Sequence, residues 1–510
     1  MVRKMNLASL VVMLCIMLVL TACGGNNNSS ESSTSSPSST AAASNDTSTS
    51  PAESEAAALP PVELTWYYPG TPQKDVALIE EAMSKITKEK INATIKLMAI
   101  DWASYTQKLN VMQAGGDAYD LAFVAPWVGN FYQGISKGAY LPLDDLLNQY
   151  APTLKGTIPD KIWEAAKVGG EIYGAINWQI VAGQIGFEVR KDLADKYNLD
   201  LNAIQSVADL EPFLTQVAAG EANSPYIFVP GSAIGGFDNI GDDGSPGVIR
   251  MTDEKLTVFN QFESEEYKQF VELMHSWYKK GLIRKDQSTL TFSNEILKSG
   301  SFAGVISYPI KPGVEIEDEA KWGQPVLAKS LTKALITTNK ANATMTAISA
   351  TSKNPERAMM FLELINTDKE LYNLICHGIE GVHYTKVSDN LIQKDPNNTG
   401  YNPLTDWMFG NQFNGYYTDP SQVGAWEKTN EMNLSADVSP ILGFSFDPEN
   451  VKTELAQVNT VVAQYAKALD SGSVDPAARL GEFIAKLKEA GSDKIIAEKQ
   501  KQLDQWLASK

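Results

Sequence analysis

Between Val62 and Val124 the chain switches between two hydrophobic periods in a set order, and that order restricts the fold more than any other feature. Val62-Glu63-Leu64-Thr65-Trp66-Tyr67-Tyr68 alternates as a strand does. Val76, Ile79, Met83 and Ile86 follow at spacings of three and four, which places them on one face of a helix. Ala93 to Ile100 reads as a second strand. Tyr105, Leu109 and Met112 mark a second helix, broken by Ala114-Gly115-Gly116-Asp117, and Tyr119 to Val124 reads as a third strand. Strand, helix, strand, helix, strand predicts a parallel sheet covered by helices. Right-handed crossovers then bring ligand-facing loops to the carboxyl ends of the strands. Those ends carry Tyr67-Tyr68-Pro69-Gly70, Asp101-Trp102 and Ala125-Pro126-Trp127.

The middle of the chain continues in the same α/β style. Gly170 to Ile176 reads as a hairpin or strand, Arg190 to Tyr197 as a helix, and Glu266 to Tyr278 as a helix with Phe270, Leu273, Met274 and Trp277 inward. Ser301 to Tyr308 is a short apolar strand that Pro309 stops. Asn354-Pro355-Glu356 and Asp447-Pro448-Glu449 each read as a helix start, with a capping residue, proline at the first helical position, then an acid. Leu455, Val458, Val462, Tyr465 and Leu469 align on the helix after Pro448. Ile495, Ile496, Leu503, Trp506 and Leu507 mark a last amphipathic helix, whose charges read as a solvated face. No internal repeat period is visible.

The first residues bear on the compartment. Arg3 and Lys4 precede an apolar run from Leu10 to Leu20, and residues 1–22 read as a secretory signal peptide. The run falls short of the ~20 residues a membrane span needs. Leu20-Thr21-Ala22-Cys23-Gly24 resembles the lipobox of bacterial lipoproteins, which implies lipid on Cys23. Within residues 23–59 a polar tether follows Cys23, mostly of Gly, Asn, Ser, Thr, Ala and Pro, with no aromatic or basic residue, too poor in apolar surface to offset its ordering entropy. With Cys15 in the signal and Cys23 lipidated, Cys376 has no disulfide partner, so the body relies on its own core. A formal charge of −18 disfavours nucleic acid as a partner. Nothing after Ala22 is long and apolar enough to span a membrane, so lipid is the expected anchor.

Several stretches, in the same order over nearly the whole body, resemble the extracellular solute-binding proteins of bacterial ABC importers, of the large sugar-binding family 1 type. They are Trp102-Ala103-Ser104-Tyr105 with Met112-Gln113-Ala114-Gly115-Gly116-Asp117-Ala118-Tyr119-Asp120-Leu121, then Gly138-Ala139-Tyr140-Leu141-Pro142-Leu143-Asp144-Asp145-Leu146. Gly169-Gly170-Glu171-Ile172-Tyr173-Gly174, Arg190-Lys191-Asp192-Leu193 and Ser352-Lys353-Asn354-Pro355-Glu356-Arg357-Ala358 continue the series. From Gly378-Ile379-Glu380-Gly381-Val382-His383-Tyr384 onward the chain looks like the LipO-like lipoprotein subgroup. One departure is that Gly174-Ala175-Ile176-Asn177-Trp178 lacks the proline that the family carries after its Tyr-Gly pair.

The resemblance implies a two-lobed, type II periplasmic-binding-protein-like α/β fold that closes about a hinge. Lobe one is expected at residues 60–178 plus 332–390, and lobe two at 179–331 plus 391–510. It implies a monomer, lipid-anchored on the extracellular face of a Gram-positive membrane, that captures a sugar or oligosaccharide and passes it to the transmembrane subunits of an ABC permease. An extracellular carbohydrate-active enzyme and a peptide-binding or sensory lipoprotein are the competing readings.

A pyranose offers apolar C–H faces and a belt of hydroxyls, so its site needs flat aromatic rings and a few oriented amides or carboxylates. On that chemistry the candidate ligand residues are Tyr67, Tyr68, Trp127, Trp178, Gln179, Trp407, Asn411 and Tyr416. Tyr308 joins them because it aligns with the family's stacking aromatic. Trp163, Trp277 and Trp506 sit on amphipathic helices and read as core, and Asp120 as a structural acid. The three histidines, His275, His377 and His383, lack metal-ligand spacing, and there is no phosphate loop or G-x-S-x-G elbow. No catalytic residue, metal or cofactor is expected.

Overall fold

A computed structural model describes residues 59–222, 226–231, 234–241, 244–291, 293–307 and 310–510. The signal peptide, Cys23 and nearly all of the tether lie outside the described residues, as does Tyr308.

The opening pattern folds as its periodicity dictates. Strand Val62–Pro69 pairs in parallel with Ala93–Ile100 along its full length, and with Leu121–Val124 on its other side. Leu64, Trp66 and Tyr68 point into the core, as alternation requires. Helix Val76–Ile91 buries Ile79, Met83, Thr87 and Ile91, and ends at Asn92 in left-handed geometry. Asp101 caps helix Trp102–Gly115 by accepting from the Ala103 N–H, and Gly116 closes it at φ 68°. Two strands antiparallel to their neighbours complete a five-stranded sheet. Its order is Ala93–Ile100, Val62–Pro69, Leu121–Val124, Met345–Ile348, Ala175–Ile176. The hairpin expected over Gly170–Ile176 lies a few residues earlier: Lys167–Val168 and Glu171–Ile172 pair antiparallel across Gly169 and Gly170, while Ala175–Ile176 joins the main sheet. Both glycines have positive φ, as a two-residue hairpin turn demands.

Around this sheet lies the first core, centred on Trp66, which meets Phe409 edge-on at 5.2 Å and Phe361 at 5.5 Å. Phe361 comes from helix Pro355–Thr367, which starts at Asn354-Pro355 as expected. A second sheet runs Val326–Ser330, Gly186–Arg190, Phe302–Ser307, Tyr226–Phe228. Its core is separate and includes Phe187, Tyr267, Met274 and Trp277. Helices Lys452–Asp470, Pro476–Glu489 and Ser492–Ala508 add Val458, Leu469, Phe483, Leu487 and Ile495 to it. The result is a two-lobed α/β body.

Two expectations need correction. The resemblance places residues 391–510 in lobe two, yet within the stretch 391–442 Tyr401, Met408, Phe409, Ala436 and Leu442 are buried in the first core. Contacts of high sequence separation, Trp66 with Phe409 above all, decide this and leave no local trace. The last helix is not wholly solvated on its charged side, because Lys499 is fully buried and donates to the Pro246 carbonyl at 2.7 Å.

The passages between lobes lie side by side. Gly183 and Leu335 exchange both backbone hydrogen bonds, at 2.9 and 3.0 Å. Leu335–Ile336 in turn pairs in parallel with Asp437–Val438. Three connecting segments are thus joined laterally into one ribbon.

Candidate functional site

The carboxyl ends of the first sheet's strands present three tryptophans. Trp102 follows Ala93–Ile100, Trp127 follows Leu121–Val124, and Trp407 arrives on the short turn Asp406–Met408. The ring centroids are 6.1 Å apart for Trp102–Trp127, 6.1 Å for Trp102–Trp407 and 6.2 Å for Trp127–Trp407. A linear stack would put its end rings twice as far apart as its neighbours. Three near-equal distances with interplanar angles of 16°, 26° and 39° instead describe a tiled patch. Fully buried Phe123 meets Trp127 and Trp407 edge-on from below. The Trp127 indole N–H donates to the Ala343 carbonyl at 2.8 Å, which sets its ring plane. Trp102 is 38% and Trp127 55% exposed, so the patch is open to water.

Trp407 also lines a cavity of about 370 Å³, so patch and cavity are continuous. Gln179 and the segments 402–407 and 416–426 form one wall, and Lys311 and Glu317 approach from the second lobe. Its charges offset one another. Lys311 pairs with Glu317 at 2.7 Å and lies 5.2 Å over the Trp426 ring. Lys394 donates to Asn402 Oδ1 at 3.3 Å, and its amine is pulled below the usual lysine range by desolvation, against the attraction of Asp406. Burial, with repulsion from Lys394, pushes His377 down to about 3, so its ring is neutral at physiological pH. Burial also drives the Cys376 thiol well up, which keeps it protonated and non-nucleophilic. Three residues lining the cavity, His377, Thr405 and Trp426, hold buried polar atoms without a hydrogen-bond partner. Such groups cost free energy when left dry, and here three of them face a cavity where a polar ligand could supply the missing partner. An aromatic patch beside a cavity of balanced charge suits an uncharged polar ligand with apolar faces.

The expected ligand residues divide. Trp127 and Trp407 belong to the patch; Trp407, Gln179 and Tyr416 line the cavity. Gln179 is anchored, its amide donating to Thr344 Oγ1 at 3.2 Å. The Tyr416 ring has the Lys369 and Lys386 ammonium groups 5.1 and 5.5 Å from its centroid. Four others are occupied with the protein itself. Tyr68 is buried against Trp66 and Phe409, and half-buried Tyr67 packs edge-on against Tyr119. Trp178 is 2% exposed and donates to Asn430 Oδ1, and Asn411 caps its own turn by accepting from the Phe413 N–H. Asp120 is structural, accepting from the Thr65 N–H at 2.9 Å.

Sequence reasoning passed over Trp102, Trp426 and His377. Trp102 stood at a strand end by the same criterion that selected Trp127. Trp426 and His377 owe their place to long-range packing. Among the described residues no cluster of His, Cys, Asp or Glu is arranged to hold a metal ion.

Residues 81–399 match the family described as bacterial extracellular solute-binding protein, and residues 440–508 match a domain of unknown function, DUF3502. A carbohydrate ABC transporter substrate-binding protein of Streptococcus pneumoniae serotype 4 is 28% identical over 444 residues, covering 84% of this chain and 87% of the relative. The crystal structure of the N-glycan transport solute-binding protein NgtS from Streptococcus pneumoniae superposes with a TM-score of 0.79 at 26% identity, over 88% of this chain and 99% of that one. The same protein in complex with Man5GlcNAc gives 0.63, over the same shares of the two chains and at the same identity. The alginate-binding protein AlgQ2 shares the fold, with a TM-score of 0.56 at 18% identity, over 87% of this chain and 98% of that one.

Proposed function

This chain belongs to the bacterial extracellular solute-binding proteins, and from that premise we propose that it captures an uncharged oligosaccharide outside the cell and delivers it to an ABC-type permease. The observation that carries the reading is the tryptophan patch running into a charge-balanced cavity between the lobes. One sugar ring fits the cavity, and further rings lie across Trp102 and Trp127 with their C–H faces down. The lower overlap with the sugar complex of NgtS is in the direction that closure of two lobes on a ligand predicts. Lipid on Cys23 would hold the protein at the extracellular membrane face as a monomer, with the polar segment after it as tether.

The test is calorimetric titration of the folded protein with neutral oligosaccharides of mannose and N-acetylglucosamine, alongside acidic glycans and peptides. Binding of the neutral sugars is expected, and a thermal shift at 100 times the dissociation constant should correspond to about 2.7 kcal/mol. Saturation by peptides and not by sugars would overturn the reading. So would more than one equivalent of hydrolysed sugar per protein, since delivery requires the ligand to leave unchanged.

A further inference from the structure

Among the described residues five non-glycine positions have positive φ. Three are asparagines, which tolerate left-handed backbone. The other two are Leu256 at φ 52° and Leu404 at φ 55°, where a side chain normally collides with its own backbone. Leu256 has an evident compensation: it packs, half-buried, against the cluster of Ile240, Ile249, Val258 and Leu503. Leu404 has none of that kind. It is 76% exposed, more than any other large apolar residue among those described, and it joins none of the hydrophobic clusters.

The backbone is held on both sides of it. The Asn402 N–H donates to Gln73 Oε1 at 2.8 Å, and the Tyr401 hydroxyl donates to the Ile375 carbonyl at 2.7 Å. On the other side Thr405 is buried, and its carbonyl accepts from the Met408 N–H at 3.0 Å. A strained residue pinned between two anchored neighbours is presented, not merely tolerated. Leu404 lines the same cavity as Trp407, three residues on, and as Lys311 and Glu317 of the facing lobe.

We infer that Leu404 is a specificity-determining ligand contact, an apolar finger that lies on the C–H face of the sugar held in the cavity. The inference rests on the oligosaccharide reading above. A hydroxyl pointing toward Leu404 would lose water without gaining a partner, so the residue selects which face and epimer the cavity accepts.

Two substitutions separate strain from contact. Leu404→Gly removes both the side chain and the steric strain, and Leu404→Asn keeps a similar size in a residue that accepts left-handed geometry. With the mannose–N-acetylglucosamine oligosaccharides as probes, both variants should bind about five- to thirty-fold more weakly than wild type. The melting temperature of the ligand-free protein should hold or rise, because the side chain is largely exposed and joins no hydrophobic cluster. A panel of epimeric monosaccharide-terminated probes should show a narrower spread of affinities in Leu404→Gly. If wild type binds these sugars and both variants match it within twofold, the inference is overturned while the functional reading stands. If wild type binds none of them, the functional reading falls and this inference with it. A melting temperature lowered by several degrees would show that Leu404 serves the fold, and would also overturn it.

Discussion

Replacing Trp127 with alanine separates a ligand platform from a structural tryptophan. The side chain is 55% exposed, so its removal opens no closed cavity. What the unliganded protein loses is the indole hydrogen bond to Ala343 and the ring contacts with Trp102, Trp407 and Phe123. With one half-exposed hydrogen bond and partly hydrated ring pairs, stability should fall by about 1–2 kcal/mol. Binding should suffer as much or more. A tryptophan presents up to ~250 Å². If a sugar covers half of the exposed part, roughly 70 Å² leaves water on binding. At about 25 cal/mol per Å² this amounts to about 1.7 kcal/mol, a roughly 20-fold loss of affinity. Calorimetry at one ionic strength gives the affinity, and circular dichroism on the same samples verifies folding. Trp127→Phe should recover most of the loss, since a phenyl ring still offers a face. A folded Trp127→Ala that binds within twofold of wild type would refute the argument that the patch carries the ligand.

Three further outcomes follow from the buried groups. Trp178→Phe leaves Asn430 without its donor and should destabilise the protein by about 1–3 kcal/mol in thermal melts, with affinity changed far less than by Trp127→Ala. His377 is held neutral down to about 3, whereas in the unfolded chain it takes up a proton near 6.5. Its contribution is therefore present above about 6.5 and lost as pH falls from there toward 3, so acid should lower the melting temperature, and less steeply in His377→Gln. Glu188 behaves in the opposite sense: burial first, then the neighbouring Asp318 carboxylate, raise it well above the ordinary carboxylate range. It stabilises the fold below its unfolded value and loses that contribution as pH rises through its folded one. Stability should decline as pH rises from about 4.3, where the unfolded carboxyl ionises, up to the raised folded value, and Glu188→Gln should flatten that decline.

Much of the architecture was legible because short-range period and chain order carry it. The first three strands, the two helices between them, and the capped start at Asn354-Pro355 needed only alternation, three-four spacing and punctuation. The lobe boundary after residue 390 was not legible, since it depends on where Phe409 and Met408 find partners more than 300 residues away in Trp66 and its neighbours. The site was half legible for the same reason. Trp127 and Trp407 could be picked out by standing at a strand end and in a polar loop. Tyr68 and Trp178 met similar criteria yet turned inward, because alternation aims Tyr68 at Phe409 and Asn430 draws in the Trp178 indole. Nothing local distinguishes an aromatic that a distant residue will cover from one that stays bare.

The lateral hydrogen bonds joining Gly183, Leu335 and Asp437 make the linkage between the halves a strip and not a set of loose strings. A strip bends easily across its width and resists torsion and shear, because those motions would slide its members past one another and break their shared bonds. Opening and closing of the halves should therefore follow mainly one arc, with degrees of opening differing chiefly in angle. A partner that docks on both halves at once then meets a surface whose spacing encodes occupancy as a single coordinate. Leu335→Pro, which removes the N–H that donates to the Gly183 carbonyl at 3.0 Å, should loosen that gauge before it weakens ligand binding itself.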